Sequence, residues 1–248
     1  MTELTFLGTG NFLSPPGRYW NSFVMDSRVL VEPSPIALPH LRRCDLSVDD
    51  IEVVVVSHFH ADHCFGWPFL LQAFAEAAAE AVGGRTVHVV GPAGIEEHLV
   101  GLCDAGAVRT VHEMASDRVD FVYVEVDGTW QEAGGLRFRA VEVDHVPYLR
   151  CFGYLFERSG QVVGYSGDTT PCEGLHELAD AADVLVVECN GRHTPPGVRS
   201  SHMDEGSIRV LHAAHPGCRL VLTHLGEQVD LAAVPGTIVP GDFERLSV

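Results

Sequence analysis

The chain has 248 residues, is 46% hydrophobic, and carries 16 basic against 34 acidic side chains for a formal charge of −18. Every basic residue is arginine, so chemistry that needs a lysine amine is excluded, and the acidic excess argues against a broad nucleic-acid surface, which needs cations to displace counterions from phosphates. The length suits one large domain or two small ones. No run of about 18 apolar residues is present to cross a membrane, and the start Met1-Thr2-Glu3-Leu4-Thr5-Phe6-Leu7 reads as a strand rather than a signal peptide. The cytoplasm is the expected compartment. Seven scattered cysteines with no CxxC pair point to reduced packing residues rather than a disulfide framework or a thiolate metal site.

In chain order, Leu4 to Phe6 and Phe23 to Met25 show the alternation of half-buried strands, with Asp26-Ser27 as a turn into Val29-Leu30-Val31. Val53 to Val56 is continuously apolar, which predicts a central strand covered on both faces. Directly after it, Ser57-His58-Phe59-His60-Ala61-Asp62-His63 packs three imidazoles and a carboxylate together. Such a cluster is costly to bury without a compensating cation. Phe65 to Ala81 is predicted helical, with Phe69, Leu70, Phe74, Ala77 and Ala81 on one stripe and Gly83-Gly84 as the stop. Thr86 to Val90 predicts a strand, and Ile95, Leu99, Leu102 and Cys103 trace a helix behind it.

Leu136 and Phe138 alternate with Arg137 and Arg139, whereas Val141 and Val143 continue in the opposite phase, so a bulge is expected near Ala140. Val162 to Ser166, Val184 to Val187 and Leu220 to Leu222 are strands that run into Asp168, Glu188 and His224, gathering polar residues at strand ends where loops can present them around one site. In the heptad, the single residue between His58 and His60 lets both rings point one way, while Asp62 and His63 turn toward a second position. One tetrahedral ion rarely takes four ligands from so short a stretch, so two adjacent metals fit better.

Ser57 to His63, followed in order by His145, by Asp168 in Tyr165-Ser166-Gly167-Asp168-Thr169 and by His224 after Leu220-Val221-Leu222-Thr223, resembles the signature of the metallo-β-lactamase superfamily. The resemblance implies an α/β (α+β) fold, a four-layer αββα sandwich, as a single domain over residues 1–248 with a dinuclear site along one edge of the sheets. It implies that His58, His60 and His145 hold a first divalent ion, that Asp62, His63 and His224 hold a second, and that Asp168 bridges both, with a hydroxide between the ions as nucleophile. Asp62 is thereby placed among the catalytic residues as well as the ligands. Zinc is the expected ion, with manganese and iron also suited to these donors.

Narrower features point to one branch. Class B β-lactamases put Cys or His where this chain has Asp168, and flavodiiron proteins carry a carboxylate where it has His60. Glyoxalase II-like thioesterases share all seven ligands. Phe6-Leu7-Gly8-Thr9-Gly10, Asn21-Ser22-Phe23-Val24 and Ser201-His202-Met203-Asp204-Glu205-Gly206 look most like the ribonuclease Z and phosphodiesterase branch. There, the resemblance implies, His202 acts at the leaving group and Glu188 orients it. The Lys-rich arm that grips tRNA in true ribonuclease Z has no counterpart in residues 146–167, and Leu225-Gly226-Glu227 replaces its Ser-Pro-Arg-Tyr tail.

The expectation is therefore a dinuclear metal-dependent hydrolase, a phosphodiesterase acting on a small phosphodiester, without nucleic acid or membrane as partner; a homodimer accords with the branch. The alternatives are a ribonuclease Z-type tRNA 3′ endonuclease, a thioesterase or lactonase of the same fold, and a noncatalytic metal-stabilised ligand sensor. Thr9, Asn11, Tyr148, Arg150, Arg192 and His193 are candidates to line the groove, whereas His88, His98, His112, His176, His212 and His215 read as structural.

Overall fold

The computed structural model describes residues 1–80, 84–191, 200–227 and 229–248; Ala81, Gly83, Arg192 and His193 of the sequence expectations lie outside the described residues. The chain opens with strands β1 (Glu3–Gly8), β2 (Ser22–Met25) and β3 (Val29–Val31), helix α1 (Ala37–Arg43) and strand β4 (Val53–Val55). Helices α2 (Ala61–Cys64) and α3 (Trp67–Glu80) lead to β5 (Arg85–Gly91), then α4 (Ile95–Ala105), α5 (Arg109–Ser116) and β6 (Val119–Glu125). The second half runs β7 (Trp130–Ala133), β8 (Leu136–Val143), β9 (Cys151–Arg158), β10 (Gln161–Tyr165), α6 (Glu173–Ala181), β11 (Val184–Glu188), α7 (Glu205–Ala214), β12 (Arg219–Thr223) and β13 (Arg245–Ser247). None of the described helices is long and apolar enough to cross a membrane.

Two sheets result, one in the order β13-β1-β2-β3-β4-β5-β6 and one in the order β12-β11-β10-β9-β8-β7. Phe6, Phe23, Val53 and Val55 from the first sheet interlock with Phe138, Tyr154, Tyr165 and Val186 from the second. On the outer face of the first sheet, Val54, Leu30 and Val89 meet Leu41, Trp67, Phe74 and Leu99 of the helices. On the outer face of the second, Leu155, Leu185 and Leu222 meet Leu178, Ile208 and Leu211. The architecture is thus the expected αββα sandwich, in which apolar side chains on both faces of the central strands are removed from water.

Three local expectations change. β1 and β2 are buried on both faces rather than alternating, because Leu7 and Val24 pack under the helices while Leu4, Phe6, Phe23 and Met25 face the other sheet. On α3 the buried face is Trp67, Leu70, Leu71, Phe74 and Ala75, and Phe69 is 61% exposed; a helix this rich in apolar residues does not fix its own rotation, and the neighbours choose the face. No bulge interrupts β8, whose pairing with β9 stays in register from Arg137 against Glu157 to Val143 against Cys151. The change of phase is instead a change of cover: Leu136, Phe138 and Ala140 face the inter-sheet core, while Val141 and Val143 sit on the outer face beneath α6. Beyond that cover, Arg139 on the same outer face pairs with Glu177 of α6 at 2.7 Å. Helix α5, which is not among the elements expected from the sequence, packs through Ala115 into the helical layer.

Candidate metal centre

The parallel strands place their carboxyl ends on one rim, where helix-side loops leave an open crevice. β4 delivers Ser57 and the heptad, β10 delivers Asp168, β11 ends on Glu188, and β12 delivers His224. Two hydrogen bonds stitch the sheets together at this point: Phe152 N donates to Ser57 O at 3.1 Å, and Tyr154 Oη donates to Val56 O at 2.7 Å. Within the heptad the backbone bends at Ser57 and His58, is extended at His60 and is helical from Ala61, so His58 and His60 precede the helix while Asp62 and His63 lie in its first turn.

The result is two clusters that share one carboxylate. His58 Nε2 and His145 Nε2 lie 3.0 and 3.3 Å from His60 Nδ1, and each is 3.9 Å from Asp168 Oδ2. Asp62 Oδ2 is 3.3 Å from both His63 Nε2 and His224 Nε2, and each of those nitrogens is 3.5 Å from Asp168 Oδ1. Tetrahedral zinc with ligands at about 2.0–2.1 Å spaces its donors roughly 3.3 Å apart, so both clusters have suitable dimensions. His63 and Asp168 are buried, yet among the described residues His63 Nε2 and Asp168 Oδ1 have no hydrogen-bond partner. Buried polar atoms are rarely left in that state, and the donor set therefore fits a pair of divalent ions.

Behind each imidazole stands a second polar group. Ser57 Oγ is 2.9 Å from His58 Nδ1, Tyr148 Oη is 3.4 Å from His60 Nε2, and the Ser201 carbonyl accepts from His145 Nδ1 at 2.6 Å. A carbonyl only accepts, so His145 carries its proton on Nδ1 and presents the Nε2 lone pair inward. Glu32 Oε1 is 3.5 Å from His63 Nδ1, and Glu188 Oε2 is 4.0 Å from His224 Nδ1. Hydrogen-bonding outer groups such as Ser57 and Ser201 orient metal-binding imidazoles, whereas Glu32 and Glu188 face His63 and His224 as nearby charges. Glu32 is wholly buried at the end of β3, adopts φ of 60°, and accepts from Ser57 N at 3.2 Å.

The protonation states suit a cation. Although burial opposes ionisation, the surrounding imidazoles hold the Asp168 and Asp62 carboxyls well below the usual range. Burial pushes His58 down and keeps it neutral. For His63 the opposite wins: burial disfavours its charge, but Asp62, Asp168 and Glu32 raise it well above the ordinary value, so an arriving ion must displace a proton there.

His202 and Glu188 lie beside these clusters. His202 Nδ1 donates to Glu188 Oε1 at 2.9 Å, and Thr169 N donates to the same oxygen at 2.7 Å. Burial lowers the His202 pKa, yet the Glu188 carboxylate more than offsets it and the value rises to about 9. A cleft of about 450 Å³ opens over the site, lined among others by Asn11, His60, Asp62, His145, Asp168 and His202.

Every sequence candidate for a ligand or catalytic role, namely His58, His60, Asp62, His63, His145, Asp168, Glu188, His202 and His224, converges on this region. Asn11 lines the cleft, and Tyr148 stands over His60. Thr9 is instead engaged by Asp242 and Arg18, and Arg150 is an exposed residue paired with Glu142 at 2.8 Å. Of the histidines expected to be structural, His176 and His215 form a hydrogen-bonded chain with Asp180 away from the cleft, and His98 stacks on Phe59. Glu32 is not among the sequence candidates, since a single acid after an apolar strand carries no spacing signal; its one cue is its place at the end of a strand-like run, as for Asp168 and Glu188.

Comparison with known proteins follows the same line. Residues 27–225 match the family described as the Beta-lactamase superfamily domain. Ribonuclease Z of Thermobifida fusca (strain YX) is 25% identical over 272 residues, covering 91% of this chain and 84% of that protein. Among solved structures, the metallo-beta-lactamase fold protein YhfI from Bacillus subtilis superposes with a TM-score of 0.78 at 17% identity, over 99% of this chain and 98% of the other. A diphosphatase from the PhnP family gives 0.77 at 18% identity, over 100% and 98%.

Proposed function

This chain belongs to the beta-lactamase superfamily, and from that premise we propose that residues 1–248 act as one dinuclear metal-dependent hydrolase domain whose substrate is a small phosphodiester. The observation that carries the substrate class is the Glu188–His202 pair at 2.9 Å, held at the edge of the cleft beside Asp168. Two divalent ions, zinc by preference, would supply Lewis-acid polarisation of the ester and acidify a water molecule for attack. His58, His60 and His145 would hold one ion and Asp62, His63 and His224 the other, with Asp168 shared.

The chain's own residues supply the rest. Glu188 takes the proton-bearing Nδ1 of His202, which leaves Nε2 as the ring nitrogen available to a substrate in the cleft. Thr169 N fixes the carboxylate that does so. A charged imidazolium placed at the cleaved P–O bond can protonate the departing alkoxide or stabilise charge on a nonbridging oxygen. Hydrolysis of bis(p-nitrophenyl) phosphate by metal-replete protein, set beside a thioester and a lactone, tests this assignment. Turnover of either carboxylic substrate with none of the phosphodiester would leave a hydrolase and remove the phosphodiesterase.

The relatives named ribonuclease Z favour a second reading, RNA cleavage at the 3′ side of tRNA, and they count against excluding nucleic acid on charge alone. Processing of a tRNA precursor carrying a 3′ trailer, at a rate above that of the small diester, would establish it.

A further inference from the structure

The turn Asn11-Phe12-Leu13 forms one wall of the cleft that contains His60, Asp168 and His202. Phe12 is 59% exposed and Leu13 62% exposed. Single exposed apolar residues are ordinary, but these two are adjacent, and the turn that carries them is pinned to the site. Asn11 Oδ1 accepts from Leu13 N at 3.0 Å, which closes the turn on itself. Asn11 Nδ2 donates to Asn190 Oδ1 at 3.0 Å, two residues past Glu188, and Asn11 N donates to Leu225 O at 3.1 Å, next to His224. Trp20 Nε1 donates to Phe12 O at 2.8 Å. The apolar wall is thereby held at a fixed place relative to His202 and His224.

The charge of the lining points the same way. Among the described residues that line the cleft there is no arginine, and the chain contains no lysine. An anion here has the metal cluster and His202 to meet its charge, and among the described residues a polyanion would find no further cation along this wall. A group that gains from burial against a phenyl ring and a leucine is uncharged and flat or branched.

Resting on the phosphodiesterase reading, we propose that Phe12 and Leu13 form a specificity wall that receives an aryl ester group of the substrate, so that the preferred substrate is a monoanionic phosphodiester with one aryl ester.

The test compares binding of methyl phenylphosphonate and methyl methylphosphonate, two monoanions differing in a single group, to the metal-replete protein by titration calorimetry. The phenyl compound is expected to bind roughly tenfold or more tightly. Joint replacement Phe12→Ser with Leu13→Ser should reduce that preference to less than about threefold, whereas Phe12→Tyr should retain it. Both wild-type affinities being equal, a preference that survives the double replacement, or no binding of either compound would each overturn the wall. Turnover of bis(p-nitrophenyl) phosphate is measured in parallel and reads the underlying assignment separately. An intact phenyl preference with no turnover sinks the phosphodiesterase and leaves an aryl-binding wall, and turnover with no preference does the reverse.

Discussion

Glu188 Oε1 holds His202 Nδ1 at 2.9 Å, and that one contact sets the charge of an imidazole that lines the cleft outside the two proposed ligand sets. Burial alone would lower its pKa; the carboxylate instead raises it to about 9. Because the folded value lies above the ordinary value of about 6.5, the pair's contribution to stability is complete below pH about 6.5 and is lost as pH rises through about 9. If His202 works as the charged form, kcat/KM falls on the alkaline side. Glu188→Gln removes the raising charge and should move that descending limb to lower pH, whereas the bound ions shift wild type and variant in the same direction. A limb that stays in place would separate His202 from the reaction.

Asp168 is the one residue common to both clusters, with Oδ2 toward His58 and His145 and Oδ1 toward His63 and His224. Asp168→Ala should therefore lower metal content from about two ions per chain to one or none and reduce kcat/KM by on the order of 10³ or more. Elemental analysis after dialysis, alongside a rate assay, checks both halves.

Removing metal should also destabilise the fold, because His63 and Asp168 carry buried polar atoms with no hydrogen-bond partner among the described residues. At a metal concentration about 100 times Kd the bound ion contributes about 2.7 kcal/mol, which for a chain of this size corresponds to a Tm shift of about 5–10 °C. Thermal scans with chelator, then with zinc restored, measure it. A Tm indifferent to both would contradict a metal-stabilised centre.

Glu32→Gln tests the buried acid behind His63. Its carboxylate stands 3.5 Å from His63 Nδ1 and also receives Ser57 N. The amide keeps the shape and loses the charge, so metal affinity should drop by about 10–100-fold. The fold should be retained by circular dichroism. Competition against a chromophoric chelator gives the number.

Gly167 precedes Asp168 with φ of 59°, and a Cβ there would lie 2.7 Å from Phe152 O and 3.0 Å from Ser57 Cβ. Gly167→Ala combines a left-handed backbone with a backbone clash, and should cost about 1–3 kcal/mol in urea denaturation. Metal affinity should fall with it, since the same backbone aims the shared carboxylate.

Much of the site was legible in the chain because its signals are local. His58, His60, Asp62 and His63 are packed into six positions, and Asp168, Glu188 and His224 each follow an apolar strand. The strands around them were equally plain, since residues buried on both faces form unbroken apolar runs such as Val53 to Val56. The rotation of α3 was not, because nearly every side of that helix is apolar and only the packed neighbours select Leu71 over Phe69.

Residue types, their order and the strands that end in them can be read along the chain, since these depend on adjacency and periodicity. Which donors meet, that Glu32 stands behind His63 and Ser201 behind His145, that β8 changes cover rather than register, and that Phe12 and Leu13 wall the cleft emerge only from the folded chain. Each of those is a contact between segments far apart in the chain. Such contacts leave no period or spacing in the sequence, because what fixes them is the packing of two sheets against each other and of helices on their outer faces.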